Sequence, residues 1–238
     1  LKNQGIMINV INKPGAEKSI GANAAATSAP DGKTFYLGAI SDTVLLPLMK
    51  FPGLQYDENT FVPVASLTRL PVAVVVSNDV PANTPAEFMN LINKSPEKYP
   101  VGVTGKWAET SAQTIYKFSE VEPIIVPYKG DLQIATDIAG KSLPVGILSF
   151  STPVIELHKA GKLKIIAVLS KERSKVLPDV GTMYEINRYA DSFWFGIFAP
   201  PGTPKQTADK MNTAFTKALK DPAVKKVLED QQFTELIL

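Results

Sequence analysis

Short runs of β-branched and aromatic residues alternate along this chain with longer stretches whose apolar positions recur every three or four residues. Glycine or proline marks nearly every change. From Pro71 onward the alternation is regular. It predicts strands over 71–77, 101–104, 124–127, 143–148 and 163–169. Helices over 85–93, 110–119, 132–139 and 153–160 fall between them. The first of these helices opens on Thr84 as cap and Pro85 at the first helical position, where the missing N–H costs nothing. After a polar loop over 170–181 come a short helix over 182–187 and the most hydrophobic run of the chain, F-W-F-G-I-F-A over 193–199. Pro200-Pro201-Gly202-Thr203-Pro204 ends that strand and opens an amphipathic helix over 205–220. Asp221-Pro222 opens a last helix to about residue 231, with Val224, Val227 and Leu228 on one face. Before Pro71 the pattern predicts a buried strand over 6–11, an Ala-rich helix over 20–28 capped by Ser19, a strand over 34–39 and a short helix over 43–49. A strand follows over 61–66, with Thr68-Arg69-Leu70 linking it to the next.

Alternation of this kind is α/β, and strand, helix, strand within about 35 residues reads as a βαβ unit on a parallel sheet. Two parallel sheets are implied. The strand over 193–199 and the closing helices need a sheet to cover, and the sparse first one is the natural choice. The chain is therefore expected to form a first lobe from 1–70 and 191–238 and a second from 71–190. Two crossings between lobes make a hinged clamp.

The 238 residues can bury one large core or two modest ones. A net charge of +2, with lysines scattered among acids, argues against a nucleic-acid surface. The absence of cysteine removes disulfides, thiolate catalysis and Cys-based metal sites. With a single histidine, His158, and no G-x-S-x-G elbow, neither a Ser–His–Asp triad with a corroborating motif nor a His-rich metal site can be argued. His158 stands near a helix end, where a cation is favoured, and reads as a surface residue. No catalytic residue, metal or cofactor is expected. No apolar run of about 18 residues is present, so no membrane insertion is expected. Leu1-Lys2-Asn3-Gln4-Gly5 reads as the tail of a helix with its Gly C-cap, which implies residues ahead of Leu1.

Candidate chemistry lies where strands end in glycine and turn into helices. Such turns aim unpartnered N–H groups and the positive end of the helix dipole at one spot, which attracts anions. P-V-G-V-T-G-K-W-A-E-T-S offers Gly102, Thr104, Gly105, Lys106, Thr110 and Ser111. V-P-Y-K-G offers Tyr128 and Gly130, while Lys129 reads as solvated. A looser turn, L-G-A-I-S-D-T, offers Ser41, Asp42 and Thr43, with Thr43 equally able to cap its helix. Ser149 and Phe150 either line the floor of a cleft or belong to a plain loop. Trp107 reads as a lid aromatic packed on its own lobe, and Trp194 as core.

N-K-P-G-A at 12–16, I-G-A at 20–22, A-P-D-G-K-T at 29–34 and Q-Y-D at 55–57 follow one another in the first part of the chain. V-P-Y-K-G at 126–130, A-G-K-L at 160–163, L-P-D-V at 177–180, W-F-G-I-F-A-P at 194–200 and G-T-P at 202–204 continue the series. In this order they resemble the substrate-binding proteins of tripartite tricarboxylate transporters, the Bug family. The resemblance implies a type II periplasmic-binding-protein fold, two α/β lobes joined by a hinge with the ligand cleft between them. It implies a periplasmic receptor, monomeric, that captures a small carboxylate (a di- or tricarboxylate, an amino acid or an aromatic acid) and delivers it to a membrane permease. Members normally begin with a further strand and Gly-rich loop, which this sequence lacks. Lys106, Trp107 and Glu109 interrupt the usual small polar turn, and Asp42 stands where members carry neutral residues. Either those acids point away from the ligand, or the ligand carries an amine or is neutral. The alternative is an α/β enzyme acting on an organic acid with Lys129 or Glu109 as acid or base.

Overall fold

At Pro71 a run of β-forming residues is cut in two. Proline has no N–H to give to a ladder, so a central strand does not continue through it. In the computed structural model, which describes residues 1–235, the two halves serve different sheets. Thr68, Arg69 and Leu70 complete the strand before the break rather than forming a link. The chain divides here into two compact units, Leu1–Arg69 with the residues from Trp194 onward, and Leu70–Phe193.

The first unit begins with α1 (Ser19–Ala26), β1 (Tyr36–Ala39), a π-helical turn Ser41–Leu45 running into α2 (Leu46–Leu48), and β2 (Val62–Leu70). The alanines of α1 let it lie close against Tyr56 and Phe61. Ser19 is not its cap but its first residue; Lys18 holds the cap position at φ 74° with no side-chain bond. No strand forms over 6–11. A strand is stable only with a partner, and no sheet strand pairs with this stretch among the described residues. Met7 is 92% and Ile11 71% exposed, so the β-branched residues that suggested a buried strand lie in solvent.

The second unit runs β3 (Val72–Val76), α3 (Pro85–Lys94), β4 (Val101–Val103), α4 (Gly105–Lys117), β5 (Ile125–Pro127), α5 (Asp131–Ala139), β6 (Val145–Ser149), α6 (Thr152–Lys159), β7 (Lys164–Val168) and α7 (Met183–Asn187). Its sheet order is β5-β4-β6-β3-β7. β4 is parallel to β5 and β6, but β3 is antiparallel to both β6 and β7. The sheet is mixed, not parallel. Every residue of β3 is buried, which reports that both faces are covered and says nothing of strand direction. Gly102 and Gly146 face each other across β4 and β6. A Cβ on either would strike Ile134 of α5, at 3.1 and 2.6 Å, so the two glycines make the flat patch on which α5 rests.

The chain then returns as β8 (Phe193–Ala199), α8 (Lys205–Leu219), α9 (Pro222–Asp230) and β9 (Thr234–Glu235). The first unit's sheet has the order β1-β8-β2-β9. β8 inserts beside β1 in antiparallel register, with Tyr36 opposite Phe198 and Ala39 opposite Phe195. The expected βαβ unit is therefore absent from this sheet; β1 takes its partner from the end of the chain.

Candidate functional site

In the second unit the connection from β4 through α4 leads outward to β5, and that from β6 through α6 leads the opposite way to β7. β4 and β6 are adjacent and parallel, so their carboxyl ends flank a topological switch point, the place where open α/β sheets hold ligands. Three helix N-termini meet this edge, those of α4, α5 and α6. None donates a first-turn N–H to the side chain of its N-cap residue, Thr104, Gly130 or Ser151. The other two helices of the unit are capped. Thr84 accepts from the Glu87 N–H in α3, and Thr182 from the Glu185 N–H in α7. Among the described α-helices of this unit, α4, α5 and α6 lack such a cap, and their N-termini direct positive potential toward the switch point.

Asp131, the first residue of α5, ties this edge together. Its Oδ1 accepts from the Thr104 hydroxyl at 2.8 Å, and its Oδ2 accepts from the Ser149 N–H at 2.9 Å. One carboxylate thus binds the tips of β4 and β6 to the start of α5. The sequence reading missed it, because its partners lie 27 and 18 residues away and only the strand order brings them together. Gly105, at φ +74°, swings the chain from β4 into α4, and at Gly130 the space a side chain would fill is open. Thr104, Gly105, Gly130 and Ser149 therefore share one edge.

Other candidates are committed elsewhere. α4 starts at Gly105, so Lys106, Trp107 and Glu109 do not interrupt a loop; they form its first turns. Lys106 and Glu109 form an ion pair of 2.7 Å. Trp107 is buried edge-on against Phe193, 5.2 Å between centroids, as an aromatic of its own unit. Thr110 donates to the Lys106 carbonyl, and buried Ser111 donates to Asp191, which also accepts from Tyr189. Burial, then the Asp191 charge, pushes the Tyr189 phenol up. Tyr128 donates to Asp137 at 2.6 Å, and that bond, more than burial, pushes its phenol up to about 12. Phe150 lines no floor: it is packed in the core with Ile155 and Leu148. Gly102 is a packing glycine beneath Ile134 and Leu143. Of the two residues named for the enzyme alternative, Lys129 is exposed and Glu109 is paired with Lys106.

In the first unit Ser41, Asp42 and Thr43 are all buried, Asp42 completely at 0% exposure. Its carboxylate faces inward. Oδ2 accepts from the Tyr36 hydroxyl at 2.7 Å and from the Ala39 N–H at 3.1 Å, and Oδ1 accepts from Ser41 at 2.9 Å. Lys18 donates to Ser41 at 3.2 Å and lies 3.9 Å from Asp42. Tyr56 donates to the Asp42 carbonyl, and Thr43 to that of Ala39. Burial first, and the Asp42 charge second, push the phenols of Tyr36 and Tyr56 up. Asp42 is thus the knot of a turn. His158, expected as a surface cation, accepts the Ile165 N–H on Nδ1 at 3.1 Å, and burial pushes its pKa down. Among the described residues no group of three or more His, Cys, Asp or Glu could hold a metal, and no helix is long and apolar enough to cross a membrane.

The family model for the tripartite tricarboxylate transporter family receptor matches residues 2–237. The chain belongs to this family. Among the family's curated members, BugT of Bordetella pertussis is 26% identical over 238 residues, 98% of this chain and 73% of BugT. Another Bordetella pertussis relative is covered over 68% of its length, so this chain spans about two thirds to three quarters of these proteins. A solved periplasmic transporter is 29% identical with a TM-score of 0.85, over 99% of this chain and 80% of that one. MatC from Rhodopseudomonas palustris, solved with bound malate, is 26% identical with a TM-score of 0.82, over 98% and 81%. The family's fold is the periplasmic-binding-protein fold, and its two α/β units are those described above.

Proposed function

We propose that this chain is a periplasmic receptor that captures a small carboxylate-bearing molecule and delivers it to a tripartite tricarboxylate-type permease. The observation that carries this reading is the set of three helix N-termini, uncapped by side chains, on the carboxyl edge of β4–β6. Thr104, Gly105, Gly130 and Ser149 supply this unit's share of the site, and Ser41 with Thr43 mark the contribution of the first unit. Lys106, Thr110, Ser111 and Tyr128 support the edge through the contacts above rather than through the ligand. Bonds from N–H groups to a carboxylate contribute roughly 1.5–3 kcal/mol each, so three or four, less the cost of association, reach the micromolar range. The receptor works as a monomer and by population shift: contacts from both units favour the form the permease recognises.

A thermal-shift screen of di- and tricarboxylates, amino acids and aromatic acids tests the reading. A ligand at one hundred times its dissociation constant adds about 2.7 kcal/mol of stability and raises Tm. Stabilisation by amines or sugars, with none from any carboxylate, overturns it.

A further inference from the structure

A hydroxyl has one proton to give and two lone pairs with which to accept. At the switch point the proton of Thr104 is spent. It goes to Oδ1 of Asp131, a group that as a carboxylate only accepts, and whose other oxygen already takes the Ser149 N–H. Thr104 sits in the N-cap position of α4, where a threonine usually accepts an N–H from the helix's first turn, yet its side chain makes no such bond. Its lone pairs are therefore uncommitted to the cap, on an oxygen made more electron-rich by its bond to an anion. The same direction recurs around it: Ser111 gives its proton to Asp191, Tyr128 to Asp137, and Thr110 to the Lys106 carbonyl. The hydroxyls that seemed fit to donate to an anion are donors already engaged.

We infer that Thr104, held by Asp131, is a specificity-determining acceptor that selects carboxylates bearing a hydrogen-bond donor, a hydroxyl or an ammonium, beside the acid group. This rests on the proposal that the edge of β4–β6 holds the carboxylate. The division of labour follows from the chemistry. Helix N-termini take the acid oxygens, and a carboxylate oxygen placed on Thr104 would meet lone pairs backed by the charge of Asp131. A donor on the ligand meets an acceptor instead. Asp131 is a positioning residue: it acts on the ligand through the direction in which it turns the Thr104 proton.

Calorimetry on the full chain with matched acids tests this. The probes are propionate, lactate and alanine, and succinate, malate and aspartate. The wild-type protein is expected to bind the hydroxy or amino member of a series about ten-fold more tightly than the unsubstituted acid, the equivalent of one polarised hydrogen bond. Thr104→Val is expected to weaken the hydroxy and amino acids about ten-fold more than the unsubstituted acid, abolishing the preference, and Thr104→Ser to restore it. Asp131→Asn, which lets the Thr104 proton turn outward, is expected to shift preference toward the unsubstituted acid. Equal wild-type affinity for substituted and unsubstituted acids, measured without any variant, overturns the inference and leaves the carboxylate reading intact. A Thr104→Val protein that weakens every probe alike assigns Thr104 a merely structural role and overturns it too. Binding of none of the six acids overturns the inference, while the carboxylate reading is decided separately by the wider thermal-shift screen.

Discussion

Asp42 shows how one buried carboxylate can look like a ligand group and be something else. The sequence places it in the turn just past β1, where the same logic that marks anion sites marks it as an oddity. The structure fills its oxygens from Tyr36, Ala39 and Ser41. Asp42→Ala strands a buried phenol and a backbone N–H, and is expected to cost about 3 kcal/mol in urea unfolding. Tyr36→Phe, which removes one partner, is expected to cost about 1–2 kcal/mol. If Asp42 instead faced the ligand, Asp42→Asn would tighten carboxylate binding with stability unchanged, and that pair of results would refute the turn-knot role. The glycines separate in the same way. Gly102→Ala places a methyl 2.6 Å from Leu143 and 3.1 Å from Ile134, and is expected to destabilise by about 1–2 kcal/mol through overpacking. Gly130→Ala adds a methyl in open space at an extended φ of −171°, so stability should stay within about 0.5 kcal/mol while carboxylate affinity falls. Equal effects of the two substitutions on affinity would remove Gly130 from the proposed site. The sequence marks both positions as glycine in or just after an expected strand; only the packing partner tells them apart.

At the scale of elements, periodicity and punctuation located most helices and strands because those signals are local. Thr84, Thr182 and Asp221 accept from the first turns of α3, α7 and α9, and Pro200–Pro204 stops β8 where expected. What failed is non-local. Strand direction in both sheets and the unpaired stretch 6–11 depend on which strand lies beside which. His158 belongs to this class. Its place in the last turn of α6 favours a cation, but the Ile165 N–H of β7 points at Nδ1 and requires that nitrogen to be unprotonated. Its folded pKa lies below the unfolded value of 6.5, mainly through burial. The unfolded chain therefore takes up a proton that the folded chain resists. The contribution is fully present above about pH 6.5 and is lost as pH falls through the lower, folded value. Tm of the wild type should drop further between pH 7.5 and pH 5 than that of His158→Gln, the difference isolating this group from the carboxylates common to both. Parallel curves would show that His158 does not titrate against the α6–β7 contact.

For the whole molecule the question is whether one ligand engages both units. The chain passes between them at Arg69–Leu70 and at Phe193–Trp194, in each case within or at the end of a strand, with Pro71 denying the first crossing a continuous ladder. The proposed clamp would turn about these two crossings. The proposed share of the first unit is the turn 41–43, whose side chains already spend their hydrogen bonds internally. The Ser41 and Asp42 carbonyls accept from the Leu46 N–H and the Tyr56 hydroxyl, so the proposal has the turn offer its amide N–H groups. Hydrogen exchange with and without a stabilising carboxylate separates the cases, because protection reports closure of local opening wherever the ligand bears. A clamp is expected to slow exchange at 104–106 and 130–132 in the second unit and at 41–43 in the first, together and at the same ligand concentration. Protection confined to the edge of β4–β6 would make the second unit a binding module in its own right.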